Sequence, residues 1–122
     1  MTELINWDNY PNFSKAEFDC QETGENEMQP VFLYELQRLR NAYGKPMRIT
    51  SGYRSPKHSI EAAKQRPGRH AQGIAVDIAV NGVDAYVLLK LAFAQGCFTG
   101  IGVDKHFIHL DIAPDRKSLW VY

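Results

Sequence analysis

Three residues in the sequence, His70, Asp77 and His109, have the chemistry and the placement to bind one metal ion. Residues 74–80 and 107–112 alternate in a way that predicts strands, with Asp77 and His109 on the faces opposite the large aliphatic side chains. If the two strands are neighbours, a cross-strand spacing of about 5 Å brings both side chains within reach of one ion. His70 precedes Asp77 by seven residues and could supply a third ligand. Two imidazoles and a carboxylate, with a fourth position for water, form a ligand set of catalytic zinc sites.

Each of these acidic and histidine residues also has a structural interpretation. A carboxylate inside an apolar strand needs a cation, a metal or several donors, so Asp77 could instead form a salt bridge with Arg54 or Arg48. Asp111 has the same alternatives, and it could also be the hydrogen-bonding partner of a ligand histidine. A lone histidine is more often a surface or hydrogen-bonded residue than a ligand, and this is our interpretation of His58.

Capping and periodicity patterns predict helices in the first and last thirds of the chain. Residues 14–17, Ser-Lys-Ala-Glu, form a capping-box pattern that predicts a short helical turn. A helix is predicted from Pro30, with apolar residues at helical spacing, until Gly44 stops it. A second helix is predicted from a cap at Asp84 to Gly96, amphipathic to largely buried.

Strand signals complete the fold. Residues 47–50 predict a strand that runs into a turn at Ser51-Gly52. Residues 100–103 and 107–112 predict a hairpin joined by the polar turn Asp104-Lys105-His106. Together with the strand that carries Asp77, these elements predict an α+β fold, with helices packed on one side of a small, mainly antiparallel sheet.

The polar segment 56–68 is predicted to be a surface excursion. It contains a brief helix at 61–64 that Pro67-Gly68 would end. The sequence contains no internal repeat, low-complexity tract or linker, so we expect one domain over residues 1–122.

Composition excludes several classes of protein. The 122 residues include fourteen Lys plus Arg and fourteen Asp plus Glu, a balance that gives no net field for nucleic acid or an anionic membrane. The N-terminus lacks a signal-peptide pattern, and no run approaches the ~20 apolar residues of a membrane span. We therefore expect a soluble protein that is synthesised in the cytoplasm without membrane insertion, and a monomer. A disulfide between Cys20 and Cys97 is possible in principle but not required.

Three blocks of the sequence carry a family resemblance. They are Ser51-Gly52-Tyr53-Arg54-Ser55-Pro56, then His70-Ala71-Gln72-Gly73-Ile74-Ala75-Val76-Asp77, then Gly100-Ile101-Gly102 with Phe107-Ile108-His109-Leu110-Asp111. This pattern resembles the M15 metallopeptidases, which include zinc D-Ala-D-Ala carboxypeptidases and phage L-alanoyl-D-glutamate endopeptidases and share a fold with the Hedgehog signalling domain. The resemblance spans roughly Asn12 to Trp120 and implies a Hedgehog/D-Ala-D-Ala-peptidase-like fold.

The resemblance also implies roles for particular residues. It implies that His70, Asp77 and His109 bind one zinc ion per chain, which would polarise the scissile carbonyl and activate a water molecule. Arg54 would face the substrate and suit its carboxylate or the oxyanion that develops at the attacked carbonyl. Tyr53 is either a neighbouring hydrogen-bond donor to the substrate or a packing aromatic.

The sequence departs from the family pattern at two positions. Relatives of the endopeptidase and dipeptidase type have a glutamate three residues before the last histidine ligand, where this chain has His106. The candidates for the general base are therefore His106, Asp104 and Asp111. Arg69 stands where many relatives carry a small hydroxyl residue, which would alter hydrogen bonding around the neighbouring ligand.

These observations predict a zinc peptidase that cuts peptidoglycan stem peptides, as a D-Ala-D-Ala carboxypeptidase or as an endopeptidase. Such a chain would suit a phage or prophage product that reaches the cell wall after lysis or on a virion. The alternative is a zinc-stabilised binding module with weak or no catalytic activity. A third hypothesis is a metal-free domain in which Asp77 and Arg54 form a buried ion pair.

Overall fold

Four α-helices, one 3-10 helix and five strands make up the part of the chain that the structure, a computed structural model, describes: residues 4–64 and 68–122. In chain order they are the 3-10 helix Trp7–Asn9, α1 Lys15–Phe18, α2 Pro30–Tyr43, β1 Arg48–Ser51, α3 Ser59–Ala62, β2 Ala75–Ala79, α4 Gly82–Gln95, β3 Gly100–Val103, β4 Phe107–Asp111 and β5 Ser118–Val121.

The strands form one sheet in the order β1-β2-β4-β3-β5. The pairs β1–β2, β2–β4 and β3–β4 are antiparallel, whereas β5 pairs with β3 in parallel. This architecture confirms the predicted α+β fold and its mainly antiparallel sheet. The hairpin of β3 and β4 is confirmed as well, while β5 was not predicted.

The two faces of the sheet differ in chemistry because strand residues alternate in direction. One face is part of the hydrophobic core, with the helices, and the other carries the ionisable residues of β2 and β4. Fully buried aliphatic residues of the core include Val76, Ile78, Ile108 and Leu110 from the sheet and Leu33, Leu36, Leu39 and Leu88 from the helices. The alternation that predicted these two faces is therefore confirmed.

The predicted helix ends are confirmed at α2 and need correction at α4. Helix α2 begins at Pro30 and ends before Gly44 as expected. The N-cap residue of helix α4 is Asn81, three residues before the predicted cap, and Asp84 lies in the first turn, where it pairs with Lys45 at 2.7 Å. Helix α4 buries Leu88 and leaves Phe93 57% exposed, so it is amphipathic as predicted, and the largely buried interpretation was wrong.

Most described residues of the segment 56–68 are exposed, as its polarity predicted, but two polar side chains in it are buried. His58 and Glu61 are buried, and so is Ser55 just before them. Their polar atoms have partners: the Ser55 hydroxyl donates to Glu25, and His58 accepts from the amide of Ile60. A polar side chain of a surface segment can be buried when its polar atoms are hydrogen-bonded, which composition alone does not reveal. The predicted stop at Pro67 lies outside the described residues.

Two further features concern the chain as a whole. Cys20 and Cys97 are both free cysteines. Within residues 4–64 and 68–122, none of the helices combines the length and the apolar character needed to cross a membrane.

Gly73 fixes the loop that leads into β2. Its φ is +75°, and a Cβ there would overlap the carbonyl oxygen of Glu27. The carbonyl of Gly73 in turn accepts the amide of Gln29 at 2.9 Å. Only glycine combines this backbone conformation with so close an approach, so the loop holding His70 is fastened to the segment before α2.

We expect Gly73→Ala to lower the free energy of unfolding by about 3 kcal/mol or more, because strain at a positive φ adds to a clash with a backbone atom. Gly24→Ala is the matched control. Gly24 has φ +77° with nothing near its Cβ position, so that change should cost only about 1 kcal/mol. Chemical denaturation of both variants measures the difference, and equal losses would contradict the packing role of Gly73.

Candidate metal centre

Three possible ligand atoms converge on the ionisable face of the sheet. Asp77 lies directly opposite His109 in the pairing of β2 with β4. The Oδ1 atom of Asp77 is 3.1 Å from Nδ1 of His109 and 3.3 Å from Nε2 of His70. One ligand atom from each of the three residues lies within 4.8 Å of the other two. The structure thus brings together the three residues that the sequence predicted as a group.

The other nitrogen of His70 is bound to the backbone. Nδ1 lies 2.8 Å from the carbonyl oxygen of Gly52, in a buried position. A carbonyl oxygen can only accept, so Nδ1 carries the proton and donates it. In the neutral imidazole, Nε2 is then left with its lone pair directed toward Asp77.

One ring nitrogen of His109 is likewise held from behind, in this case by the carboxylate of Asp111. Its Nε2 lies 2.7 Å from Oδ2 of Asp111, and both side chains are buried. Both ring nitrogens face a carboxylate, but the contact to Asp111 is shorter than the 3.1 Å contact to Asp77, so Nε2 is the donor in the neutral ring and Nδ1 presents its lone pair to Asp77. A carboxylate or carbonyl behind a histidine is the usual device for orienting a metal ligand.

Three electron-rich atoms therefore face one another, and this arrangement calls for a cation. Without a proton or a metal between them, the lone pairs of His70 and His109 would repel the Asp77 carboxylate in a partly desolvated place. Two neutral imidazole nitrogens and one carboxylate oxygen fit a metal such as zinc. The donor set thus fits the ion that the sequence pattern predicted.

The pKa values of the cluster also indicate that a positive charge is stabilised among these residues. Burial by itself raises the pKa of Asp77, but when the cluster holds protons in place of a metal, hydrogen bonding with His109 and His70 outweighs burial and holds the pKa well below its usual range. Burial lowers the pKa of His109, yet hydrogen bonds to Asp111 and Asp77 raise it above the usual value. A proton on His109 is thus stabilised at the place where a metal would bind. A metal must displace that proton, so metal binding weakens as the pH falls.

Asp111 is committed to several partners. Besides His109, its oxygens accept from both terminal nitrogens of Arg116, at 3.1 and 3.0 Å, and from the amide of Ala113 at 3.1 Å. Burial raises the pKa of Asp111, but its bonds to His109 and Arg116 outweigh that and keep the pKa well below the usual range. A Cβ on Gly100 would collide with this Arg116–Asp111 pair, so the glycine makes room for it. This placement matches the role of a hydrogen-bonding partner to a ligand histidine.

Arg54 lies beside the cluster, with its guanidinium between two carboxylates. It is 3.6 Å from Oδ2 of Asp77 and 3.5 Å from Oε2 of Glu61. The Glu61 side chain is completely buried and also accepts from Lys64 and from the amide of Gly68, each at 2.8 Å. The ion pair of Asp77 with Arg54, considered from the sequence, is therefore present at long distance, and it uses the oxygen that does not face the histidines.

A cleft of about 350 Å³ opens above the cluster. Its size is within the range of small-ligand sites. Its walls comprise Arg54, Lys64, Arg69 and Arg116 as cations, Phe107, Trp120 and Tyr122 as aromatics, and His70, Asp77, His109 and Asp111 from the cluster.

Three other residues with predicted roles do not line this cleft. Tyr53 is buried, and its hydroxyl donates to Glu27 at 3.1 Å; burial and this partner raise its pKa to about 12. His106 is exposed in the turn between β3 and β4, where its amide donates to Asp104 at 2.9 Å. The roles of Tyr53 in substrate binding and of His106 or Asp104 as the base stay predictions.

Sequence reasoning missed Glu61, Arg116, Trp120 and Tyr122. Glu61 lies in a segment whose polarity suggested the surface, and the other three follow the last block of the recognised pattern. A usable signal did exist for the last three. Gly100 and Gly102, two residues apart in one strand, leave space on the face that carries His109, and something large must fill it.

The sheet with ionisable groups on one face and a His-Asp-His cluster in a cleft defines a metal-binding hydrolase type of site. Residues 11–111 match the family described as Peptidase M15. The chain belongs to this family, which makes it a metallopeptidase by class. No curated protein matches the chain closely enough to count as a relative.

We expect Asp111→Asn to weaken the binding of added Zn²⁺ by about 10- to 100-fold, because a neutral amide orients and polarises His109 less well than a carboxylate. Chelator competition measures the affinity, and circular dichroism checks that the variant is folded. Asp104→Asn, in the exposed turn outside the cleft, is the control and should retain the wild-type affinity. Equal affinities for all three proteins would show that Asp111 has no influence on the cluster.

Proposed function

We propose that the protein is a zinc-dependent peptidase that hydrolyses peptide bonds in peptidoglycan stem peptides. The observation that carries this proposal is the convergence of His70 Nε2, Asp77 Oδ1 and His109 Nδ1, each aimed by a buried hydrogen bond or a strand register. Membership of the M15 family supports the reaction class. When bound, zinc supplies Lewis-acid activation of a water molecule and of the scissile carbonyl.

Cationic side chains line the cleft, and one of them is available for an anionic group of the substrate. Four cationic side chains, Arg54, Lys64, Arg69 and Arg116, face the same space as the cluster. Three of them have a carboxylate within hydrogen-bonding distance: Lys64 has Glu61, Arg69 has Asp115 and Arg116 has Asp111. The fourth, Arg54, is the least engaged, and stem peptides carry free carboxylates that it could bind.

Arg54 is the cation best placed to bind the substrate. Its contacts to Glu61 and Asp77 are 3.5 and 3.6 Å long, so its guanidinium hydrogen-bonding capacity is poorly used by these two carboxylates. Its own amide donates to the carbonyl of His70 at 3.2 Å, which ties the backbone of Arg54 to the ligand loop. In our proposal Arg54 donates to a substrate carboxylate or to the oxyanion that forms at the attacked carbonyl.

His106 is our leading candidate for the general base, with Asp104 on the same turn as the second. Asp111 is less suitable, because both of its oxygens already accept from Arg116 and one also accepts from His109. Phe107, the neighbour of His106, does line the cleft, so the turn borders the site.

The proposed setting is cell-wall lysis or remodelling, with a phage or prophage origin.

One observation favours a second function, a zinc-stabilised binding module. Among the described residues that line the cleft, every imidazole and carboxylate belongs to the metal cluster or, as Asp111, is committed to holding it. A cleft with cations and a metal but no adjacent base could bind a stem peptide without cutting it.

We expect the zinc-loaded protein to release new amino groups from purified peptidoglycan, which mass spectrometry detects. His109→Ala should lose both zinc and product. His58→Asn is the matched histidine control: His58 is bound to Glu22 and to the amide of Ile60, outside the cluster, and asparagine can keep the cap. Zinc retention by the wild type without any product would favour the binding module, and failure to retain zinc would leave the metal-free alternative.

We expect Arg54→Gln to lower kcat/KM by about 100-fold or more with zinc content unchanged, since it removes a charged donor from the reacting groups. Arg38→Gln is the control for loss of an arginine. Arg38 is half exposed on α2, pairs with Glu35 and does not line the cleft. Steady-state kinetics on a soluble stem peptide tests both variants. If Arg54→Gln behaved like the control, Arg54 would have no part in catalysis.

A further inference from the structure

One wall of the cleft is aromatic. Phe107, Trp120 and Tyr122, which we call the aromatic wall, all line it. The Tyr122 ring centroid lies 4.9 Å from that of Phe107 and 6.4 Å from that of Trp120. Trp120 lies next to the metal cluster, with its ring centroid 5.1 Å from that of His109. An apolar surface therefore begins beside a proposed metal ligand.

The fold is built to hold Trp120 in this position. β5 pairs with β3 in a register that sets Trp120 opposite Gly102, and a Cβ on Gly102 would come to 2.5 Å from the indole nitrogen. The guanidinium of Arg116, itself fixed by two bonds to Asp111, lies over the Trp120 ring at 5.3 Å. A glycine beside the ring and a cation over it leave the indole little freedom.

The wall and the cations give the cleft two different sides. Arg54, beside the cluster, supplies charge, while Trp120 supplies an apolar surface next to His109. A peptide that crosses the cluster can then present a carboxylate to one side and an aliphatic side chain to the other. Trp120 and Tyr122 lie beyond the residues 11–111 that match the family. Their part in the site therefore rests on the structure alone.

We propose that the aromatic wall is a specificity subsite that takes the methyl side chain of an alanine residue flanking the scissile bond. This inference rests on the proposed function, because it assumes that stem peptides enter the cleft. Burial of a methyl group against Trp120 would favour alanine over glycine at that one position, by about fourfold or more in affinity or in kcat/KM. Trp120 is a substrate-contacting residue in this proposal, whereas Arg116 positions it.

The test combines protein variants with peptide variants. The zinc-loaded protein is given the pentapeptide L-Ala-D-Glu-L-Lys-D-Ala-D-Ala and three analogues in which one alanine at a time is replaced by glycine. Calorimetry gives the affinity where a peptide stays intact, and kcat/KM is measured where it is cut. We expect one of the three alanines to matter by about fourfold or more, and this preference to shrink below about twofold in Trp120→Ala.

Two further variants separate the subsite from a general effect on folding. Leu119→Ala changes the neighbouring residue of β5, which is 60% exposed and lines a different groove, and should keep the wild-type preference. Trp120→Leu preserves an apolar surface and should keep part of the preference. Zinc content and the melting temperature are measured for every variant.

The outcomes distinguish this inference from the proposed function. A preference for one alanine that disappears only in Trp120→Ala supports the subsite, even if no peptide is cut and the hydrolase proposal fails. Cleavage with the same preference in wild type and Trp120→Ala overturns the subsite and leaves the hydrolase intact. Absence of any preference among the three alanines in the wild type also overturns it.

Discussion

The mutual approach of Asp77, His70 and His109 is the constraint around which the rest of the site is arranged. Three acceptor atoms within 4.8 Å of one another are unfavourable in a partly desolvated place unless a cation lies among them. The fold supplies the opposing force from behind each histidine: the Gly52 carbonyl holds one ring and the Asp111 carboxylate holds the other. The site is therefore preorganised by groups that do not themselves belong to the ligand set.

Glycine residues make this preorganisation possible because the supporting groups need space. Gly73 lets the loop of His70 approach the backbone of Glu27. Gly100 leaves room for the Arg116–Asp111 pair, and Gly102 leaves room for Trp120. Each glycine thus serves a neighbour of a ligand. Glycine in a sequence usually indicates a flexible backbone, but here the glycines let the groups around the ligands pack closely and hold them in place.

The sequence predicted those parts of the site that depend on local periodicity. Strand alternation was enough to place Asp77 and His109 on one face, and their direct pairing followed once the strands were neighbours. His70 and Arg54 lie in loops, so their approach depends on long-range contacts such as the bond from the Arg54 amide to the His70 carbonyl. For those residues spacing gave only possibilities, and the family resemblance implied the roles.

Burial of polar residues was the part that could not be read from the sequence. Glu61 looks like a surface residue because its segment is polar, yet its side chain is fully buried with three donors around it. These donors lie only three to seven residues away in sequence, and it is the folded backbone that brings them around one carboxylate. The grouping of charged side chains is likewise set by the fold. The chain carries equal numbers of basic and acidic residues, but the fold gathers four cations around one cleft. Composition therefore gives the net charge of the chain, whereas the grouping of these cations beside the cluster exists only in the folded state.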